Sequence, residues 1–217
     1  MAKIKGIDKE LLDSMYNLRC VGDISQAVFY DFVRSQFGEL TILRSILMEA
    51  SDEKKFRDII EIIRPKRVVE IGTAKGISAL LMSVIADNIC TFDILDYPEK
   101  YILWNIHNVN NKIQFYHCEN NDDKKEELDK MDFDFAFIDG DHSFSGVSFD
   151  FGCVNKCGRV LFHDYFLKDT KHSLAKEYPK YGSDYGNHNG WDVTNFVDSL
   201  PKEEVTINEP FAYWEKR

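Results

Sequence analysis

The chain has 217 residues, 44% of them hydrophobic and 13% aromatic, with 37 acidic against 27 basic side chains and a formal charge of −10. A chain of that size and composition buries a full core, which excludes disorder and makes one domain with modest additions the default. The acid excess disfavours nucleic acid as a partner, because a phosphate backbone is repelled and the lysines are interleaved with acids.

Residues 9–18, 25–37 and 40–50 carry apolar side chains at three- and four-residue spacing and read as helices. Ser51, followed by Asp-Glu-Lys, is expected to cap a fourth helix that runs to about Ile63 and stops at Pro65. From there strand and helix alternate. Strands are expected over 67–71, 89–94, 112–116, 133–138 and 159–163, and helices over 75–86, 99–107, 122–131 and 143–155. Short apolar runs without alternation, each followed by an amphipathic helix, are what a parallel sheet covered on both faces requires. Residues 204–208 and 211–215 do alternate, and Glu209-Pro210 between them predicts a hairpin that closes the sheet antiparallel. The expected fold is therefore a Rossmann-like, doubly wound α/β sheet, mostly parallel with an antiparallel C-terminal hairpin. A helical extension over 1–63 precedes a main domain over 64–217.

The longest apolar run, 77–86, contains serines and falls short of the roughly 20 residues that a bilayer span needs. No apolar signal segment stands in the first ten residues, so a soluble cytoplasmic protein is expected. Five cysteines, Cys20, Cys90, Cys118, Cys153 and Cys157, are odd in number and lack CxxC spacing, which fits reduced thiols. Cys153, Cys157 and His163 could together approach zinc, but nothing completes a tetrahedral set.

A doubly wound sheet binds ligands at the C-terminal ends of its strands. The first strand runs into VVEIGTAKGISALL, which places Glu70, Gly72 and Gly76 at the strand-to-helix turn. Glycines there let the backbone turn tightly and approach a ligand, and the helix beyond offers free N–H groups. The second strand ends in Asp93, about twenty residues later, where a carboxylate can accept both hydroxyls of a ribose. The two placements together point to a nucleoside-bearing cofactor. Two further strands end in charge: one delivers IDGDHS, with Asp139, Asp141 and His142, and the next ends FHD, with His163 and Asp164. Asp141 and Ser143 are good helix caps, so this charge could also be structural.

A dinucleotide turn would read GxGxxG, whereas here the spacing is Gly72-Thr-Ala-Lys-Gly76, with Glu70 two residues before the first glycine. EIGTAKGIS, TFDI, FIDGDHSFSGV with a downstream Asp150, and GRVLFHDY resemble the class I S-adenosylmethionine-dependent methyltransferases, from about Arg64 to the C-terminus. More narrowly, they look like the small-molecule O-methyltransferases related to the macrocin and cephalosporin-pathway enzymes, with catechol O-methyltransferase a more distant relative. Ala74 departs from the pattern, standing where many relatives have a middle glycine.

The resemblance implies a cofactor, S-adenosylmethionine, whose amino-acid end is held by Glu70, Gly72 and Ser78, with Thr73 and Gly76 in the same turn. It gives the ribose to Asp93 and the adenine to Glu119 and Asn120 of YHCENND, although Asn120 read alone is a helix cap. It places Asp139 beside the cofactor and joins it to His163 and Asp164 as ligands of a divalent metal, Mg²⁺ or Mn²⁺, of which Mn²⁺ suits an imidazole better. His142 and Asp139 become the catalytic pair, with His142 taking the proton of the acceptor hydroxyl. The implied activity is methyl transfer to a hydroxyl of a small-molecule acceptor, a sugar or polyol-type metabolite. Alternatives are a methyltransferase of RNA or protein, or a binding subunit without catalysis. KYGSDYGNHNGWDV reads as a loop over the acceptor or as plain surface, with Tyr165, Tyr185, His188 and Trp191 as candidate contacts. Tyr16 and Tyr30 could pack over the cofactor or form a homodimer contact.

Overall fold

The computed structural model describes residues 50–97, 99–165 and 191–217. The helices expected before Ala50, with Tyr16, Cys20 and Tyr30, and the segment holding Tyr185 and His188 lie outside the described residues. The chain enters through helix α1 (Ala50–Ile63), then β1 (Arg67–Ile71), α2 (Ile77–Met82), β2 (Asn88–Asp93), α3 (Glu99–Ile106), β3 (Ile113–His117) and α4 (Asn121–Asp129). It continues through β4 (Phe135–Ile138), α5 (Phe144–Val154), β5 (Arg159–Phe162), α6 (Trp191–Asp198), β6 (Val205–Asn208) and β7 (Phe211–Glu215). The strands form one sheet in the order β3-β2-β1-β4-β5-β7-β6. All neighbours run parallel except β7, which is antiparallel to both β5 and β6, as the hairpin pattern predicts.

Two element ends differ from expectation. Ser51 already lies inside α1 and so does not cap it. The second helix is shorter than 75–86, because Gly76, at φ 77°, sets its start and the chain turns back to the sheet soon after Met82.

Alternation along β1 sorts the core into two layers, since successive side chains leave a strand on opposite faces. Val69 and Ile71 join Val147 and Val154 of α5 and Phe196 and Val197 of α6. Val68 instead meets Phe56 and Ile60 of α1, Leu80 of α2 and Trp104 of α3. Glu70 follows Val68 on that face and is completely buried. β4, FAFI, is buried at every residue, which explains its unbroken apolar run. Helix α1 is part of this packing: the Phe56 ring lies 4.9 Å from Phe137 and 5.7 Å from Phe211, tying the helix to β4 and β7.

Phe56 is 0% exposed, so Phe56→Ala should cost about 3–5 kcal/mol through lost burial and a residual cavity. Urea unfolding should show a lower midpoint with an unchanged slope; an unchanged midpoint would mean that α1 does not hold this face of the sheet.

Candidate active site

The order reverses between β1 and β4, and their C-terminal ends meet there. Gly72 leaves β1 at φ 98°, and a Cβ on it would lie 2.0 Å from the Asp139 carbonyl oxygen and 2.8 Å from the Gly140 nitrogen. Only glycine combines that backbone angle with that approach. Gly76 is equally confined, with a Cβ position 2.7 Å from the Trp104 ring, and its carbonyl accepts a 2.8 Å hydrogen bond from the Trp104 indole.

Between them Ala74 adopts φ 42°, a left-handed conformation that glycine reaches more easily. Its N–H donates to Asp93 Oδ2 at 2.7 Å, and the other oxygen, Oδ1, accepts from the Leu95 N–H at 2.9 Å. Asp93 thus shapes the loops after both β1 and β2 while remaining partly exposed. Glu70 lies behind the turn. It accepts hydrogen bonds from the hydroxyls of Ser78 and Thr91, and Thr91 in turn shares a 2.6 Å bond with Thr73. Burial, only partly offset by those hydroxyls and reinforced by Asp139 and Asp93, pushes its carboxyl up to about 8.

At the ends of β4 and β5, four titratable side chains converge. His163 Nδ1 donates to Asp139 Oδ1 at 3.0 Å and lies 3.5 Å from Asp164 Oδ1. His142 Nε2 is 3.4 Å from an oxygen of each carboxylate. Asp164, at φ 59°, turns the chain so that two consecutive residues face the cluster. Burial alone would raise Asp139, but the His163 charge and the two imidazole contacts outweigh it and hold the carboxyl well below its usual range. Burial likewise opposes charge on His163, yet Asp139 and Asp164 raise it to about 10, and the same two acids raise His142.

Donor atoms of Asp139, His163 and Asp164 lie within 4.8 Å of one another, and this is the one such group among the described residues. Two carboxylates and an imidazole suit a borderline divalent ion, provided that His163 gives up its proton. The buried Nε2 of His142 makes no hydrogen bond. That nitrogen, 3.4 Å from both carboxylates, has capacity for a further partner at the cluster.

The family follows from the chain as a whole. A model of the O-methyltransferase family, described as such, matches residues 31–172. The chain belongs to the O-methyltransferase family. Solved structures of similar fold include a Podospora anserina methyltransferase bound to S-adenosylhomocysteine, with TM-score 0.61, 16% identity and 100% of both chains covered. An O-methyltransferase from Bacillus cereus, also in complex with S-adenosylhomocysteine, has TM-score 0.57, 12% identity and coverage of 99% of this chain and 94% of that one. TomG from Streptomyces achromogenes, an O-methyltransferase involved in tomaymycin synthesis and bound to S-adenosylmethionine, has TM-score 0.56, 15% identity and coverage of 79% and 82%. At these identities the likeness is one of fold. A comparison with curated proteins finds no match.

In this O-methyltransferase the residues expected from sequence separate into three groups. Glu70, Gly72, Thr73, Gly76, Ser78 and Asp93 surround the first turn, and Asp139, His142, His163 and Asp164 form the second cluster. Glu119 is exposed and Asn120 caps α4, its side-chain oxygen accepting the Asp123 N–H at 2.9 Å. In IDGDHS, Ser143 caps α5 and Asp141 accepts its N–H, as the capping reading expects, while Asp139 and His142 stand in the cluster. Tyr165 is buried, and its hydroxyl donates to Asp198 at 3.0 Å, so it belongs to the core. Cys153 and Cys157 are free thiols with no metal-type grouping among the described residues.

Thr91 and Asp52 escaped the sequence reading. Thr91 is the register partner of Glu70, which parallel pairing of the first two strands could have exposed. Asp52 reaches His163 electrostatically from α1, a helix that sequence alone assigns to an extension.

His163 should stay protonated in the metal-free enzyme across pH 6 to 8, since its folded value is about 10 against an ordinary 6.5. Nitrogen-15 spectra of its ring should show imidazolium throughout; neutral shifts at pH 8 would contradict the charge balance. Because a raised pKa means that the folded state binds the proton more tightly, His163 stabilises the fold fully below pH 6.5 and loses that contribution as pH rises towards 10. Asp139, being lowered, contributes above its ordinary 3.8 and loses its effect as pH falls below it.

Proposed function

We propose that this O-methyltransferase transfers the methyl group of S-adenosylmethionine to a hydroxyl of a small acceptor, a sugar or polyol-type metabolite, with a divalent cation at the Asp139 cluster. One observation carries the reading: the backbone of Asp139 touches the Gly72 turn, while its carboxylate is bonded into the cluster of His142, His163 and Asp164. Nucleoside-binding turn and proton-handling cluster thus share one residue. The S-adenosylmethionine and S-adenosylhomocysteine found in similarly folded methyltransferases support the choice of cofactor.

When bound, S-adenosylmethionine supplies an electrophilic methyl group, and a divalent ion lowers the pKa of an oxygen beside it. The rest falls to this chain. The turn of Gly72, Thr73 and Gly76 would receive the amino-acid end of the cofactor, with Glu70 and Ser78 behind it. Asp93, fixed by two backbone N–H groups, would take the ribose, and Glu119 and Asn120 would be the residues for the adenine. Asp139, His163 and Asp164 hold the cation, for which Mn²⁺ suits the imidazole better than Mg²⁺.

His142, otherwise raised by the two acids 3.4 Å away, would shed its own proton once Asp139 and Asp164 hold the cation, and its imidazole would then take that of the hydroxyl. The net charge of −10 favours a small acceptor over RNA, and the protein acts in the cytoplasm as a soluble enzyme.

S-adenosylhomocysteine should raise the melting temperature, as any ligand selective for the folded state does, and Asp93→Ala should weaken the shift. Asp139→Asn and Asp164→Asn should leave cofactor affinity within a few-fold but lower turnover by orders of magnitude, as should chelation of the parent. His142→Ala should cost about 10²- to 10⁴-fold in turnover. Full activity of the His142 and Asp164 variants in the presence of chelator would overturn the roles given to the cluster.

A further inference from the structure

Four acids stand at or near the ends of the strands around the Gly72 turn, and they are not equivalent. Asp139 has His163 at 3.0 Å, and the buried Asp150 has Lys124 at 2.5 Å. Glu70, 0% exposed, has no lysine or arginine paired with it among the described residues. Its partners are two hydroxyls, Ser78 on α2 and Thr91 on β2. Its charged neighbours are both acids, Asp139 at the end of β4 and Asp93 at the end of β2. The β4 residue opposite it, Phe137, carries no charge.

A buried carboxylate that lacks a counter-ion and faces two further acids keeps its proton. The surrounding hydroxyls can accommodate that proton, because each can donate or accept. With Glu70 protonated, Oε2–H donates to Thr91 Oγ1, and the Thr91 hydrogen turns to Thr73 Oγ1, 2.6 Å away. With Glu70 ionised, the Thr91 hydroxyl turns back and donates to Oε2, at 2.5 Å. The network supports either state without moving a heavy atom. What it lacks among the described residues is a positive charge, and the partly exposed turn at Gly72, two residues on, is where a ligand can bring one.

We propose that an ammonium group docking at the Gly72 turn supplies this missing counter-ion and expels the Glu70 proton to solvent, so that ligand binding and Glu70 ionisation are a single event. The proposal rests on the reading of the cofactor as S-adenosylmethionine, whose amino-acid end carries the ammonium. No covalent bond of the ligand changes: the O–H bond of Glu70 breaks and the proton passes to buffer. The site therefore selects for a cationic amino-acid end and binds it more tightly as pH rises, since the ligand prefers the ionised form of Glu70.

Titration calorimetry of the parent protein with S-adenosylhomocysteine, in buffers of different ionisation enthalpy, measures the released proton directly. With Glu70 at about 8, release should be about 0.9 proton per ligand at pH 7, where the ligand already carries its ammonium, with affinity rising up to about tenfold per pH unit below that. 5′-Methylthioadenosine, which has the same nucleoside and no ammonium, should bind with no release. Glu70→Gln should bind S-adenosylhomocysteine more weakly and release nothing. Binding by the parent without proton release overturns the proposal and leaves the cofactor reading intact. So does equal release with 5′-methylthioadenosine, a comparison that needs no variant, and so does release that persists in Glu70→Gln. Absence of S-adenosylhomocysteine binding overturns the cofactor reading and the proposal with it.

Discussion

The site depends on one close approach, that of the Gly72 backbone to the backbone of Asp139 and Gly140. A Cβ at Gly72 would fall 2.0 Å from the Asp139 carbonyl oxygen, so the ends of β1 and β4 are closer than any other residue permits. That contact sets the distance between two chemically different places. On one side is a turn whose bends are pinned by Asp93 and whose floor is Glu70. On the other is a pair of acids and a pair of imidazoles at the ends of β4 and β5. The parallel register Ile71↔Ile138 and Ile138↔Phe162 delivers all three strand ends to one edge, and the reversal of chain order between β1 and β4 leaves a crevice there.

Charge is distributed across that edge with a clear division of labour. The acids of the second cluster are matched to imidazoles, which is why burial does not neutralise Asp139, why His163 holds its proton strongly and why His142 is raised. Glu70 is matched only to hydroxyls and is raised instead. The first arrangement carries its own cationic partners. The second has no cation of its own among the described residues. A methyl transfer that begins with a cationic cofactor and requires a deprotonated hydroxyl would use both, in the order in which they lie along the crevice.

Much of this was legible in the chain. The parallel order, the closing hairpin, Gly72, Asp93 and the charged strand ends follow from apolar runs and from what stands at their ends, because a buried strand has few reasons to finish in IDGDHS or FHD. Element ends were less legible: Ser51 looks like a cap but lies within α1, and Ala74 looks like a tolerated departure but occupies a left-handed turn supported by Asp93. Least legible were contacts across the sheet. Thr91 has no local signature and acquires its role only from its register with Glu70, while Asp52 and Phe56 act on β4 and β5 from a helix that precedes them by some eighty residues or more. Asn120 shows the converse, a residue whose local chemistry, capping α4, is visible in both sequence and structure.

The most direct test of the central claim is to follow the methyl group itself. S-adenosylmethionine labelled with carbon-13 at the methyl, incubated with the enzyme, Mn²⁺ and fractionated small-molecule pools rich in hydroxyls, should yield a product whose labelled carbon resonates as a methyl ether, and chelator should abolish it. Label arriving on nitrogen or on carbon, or an ether formed equally well in the presence of chelator, would contradict a metal-assisted O-methyltransferase centred on Asp139.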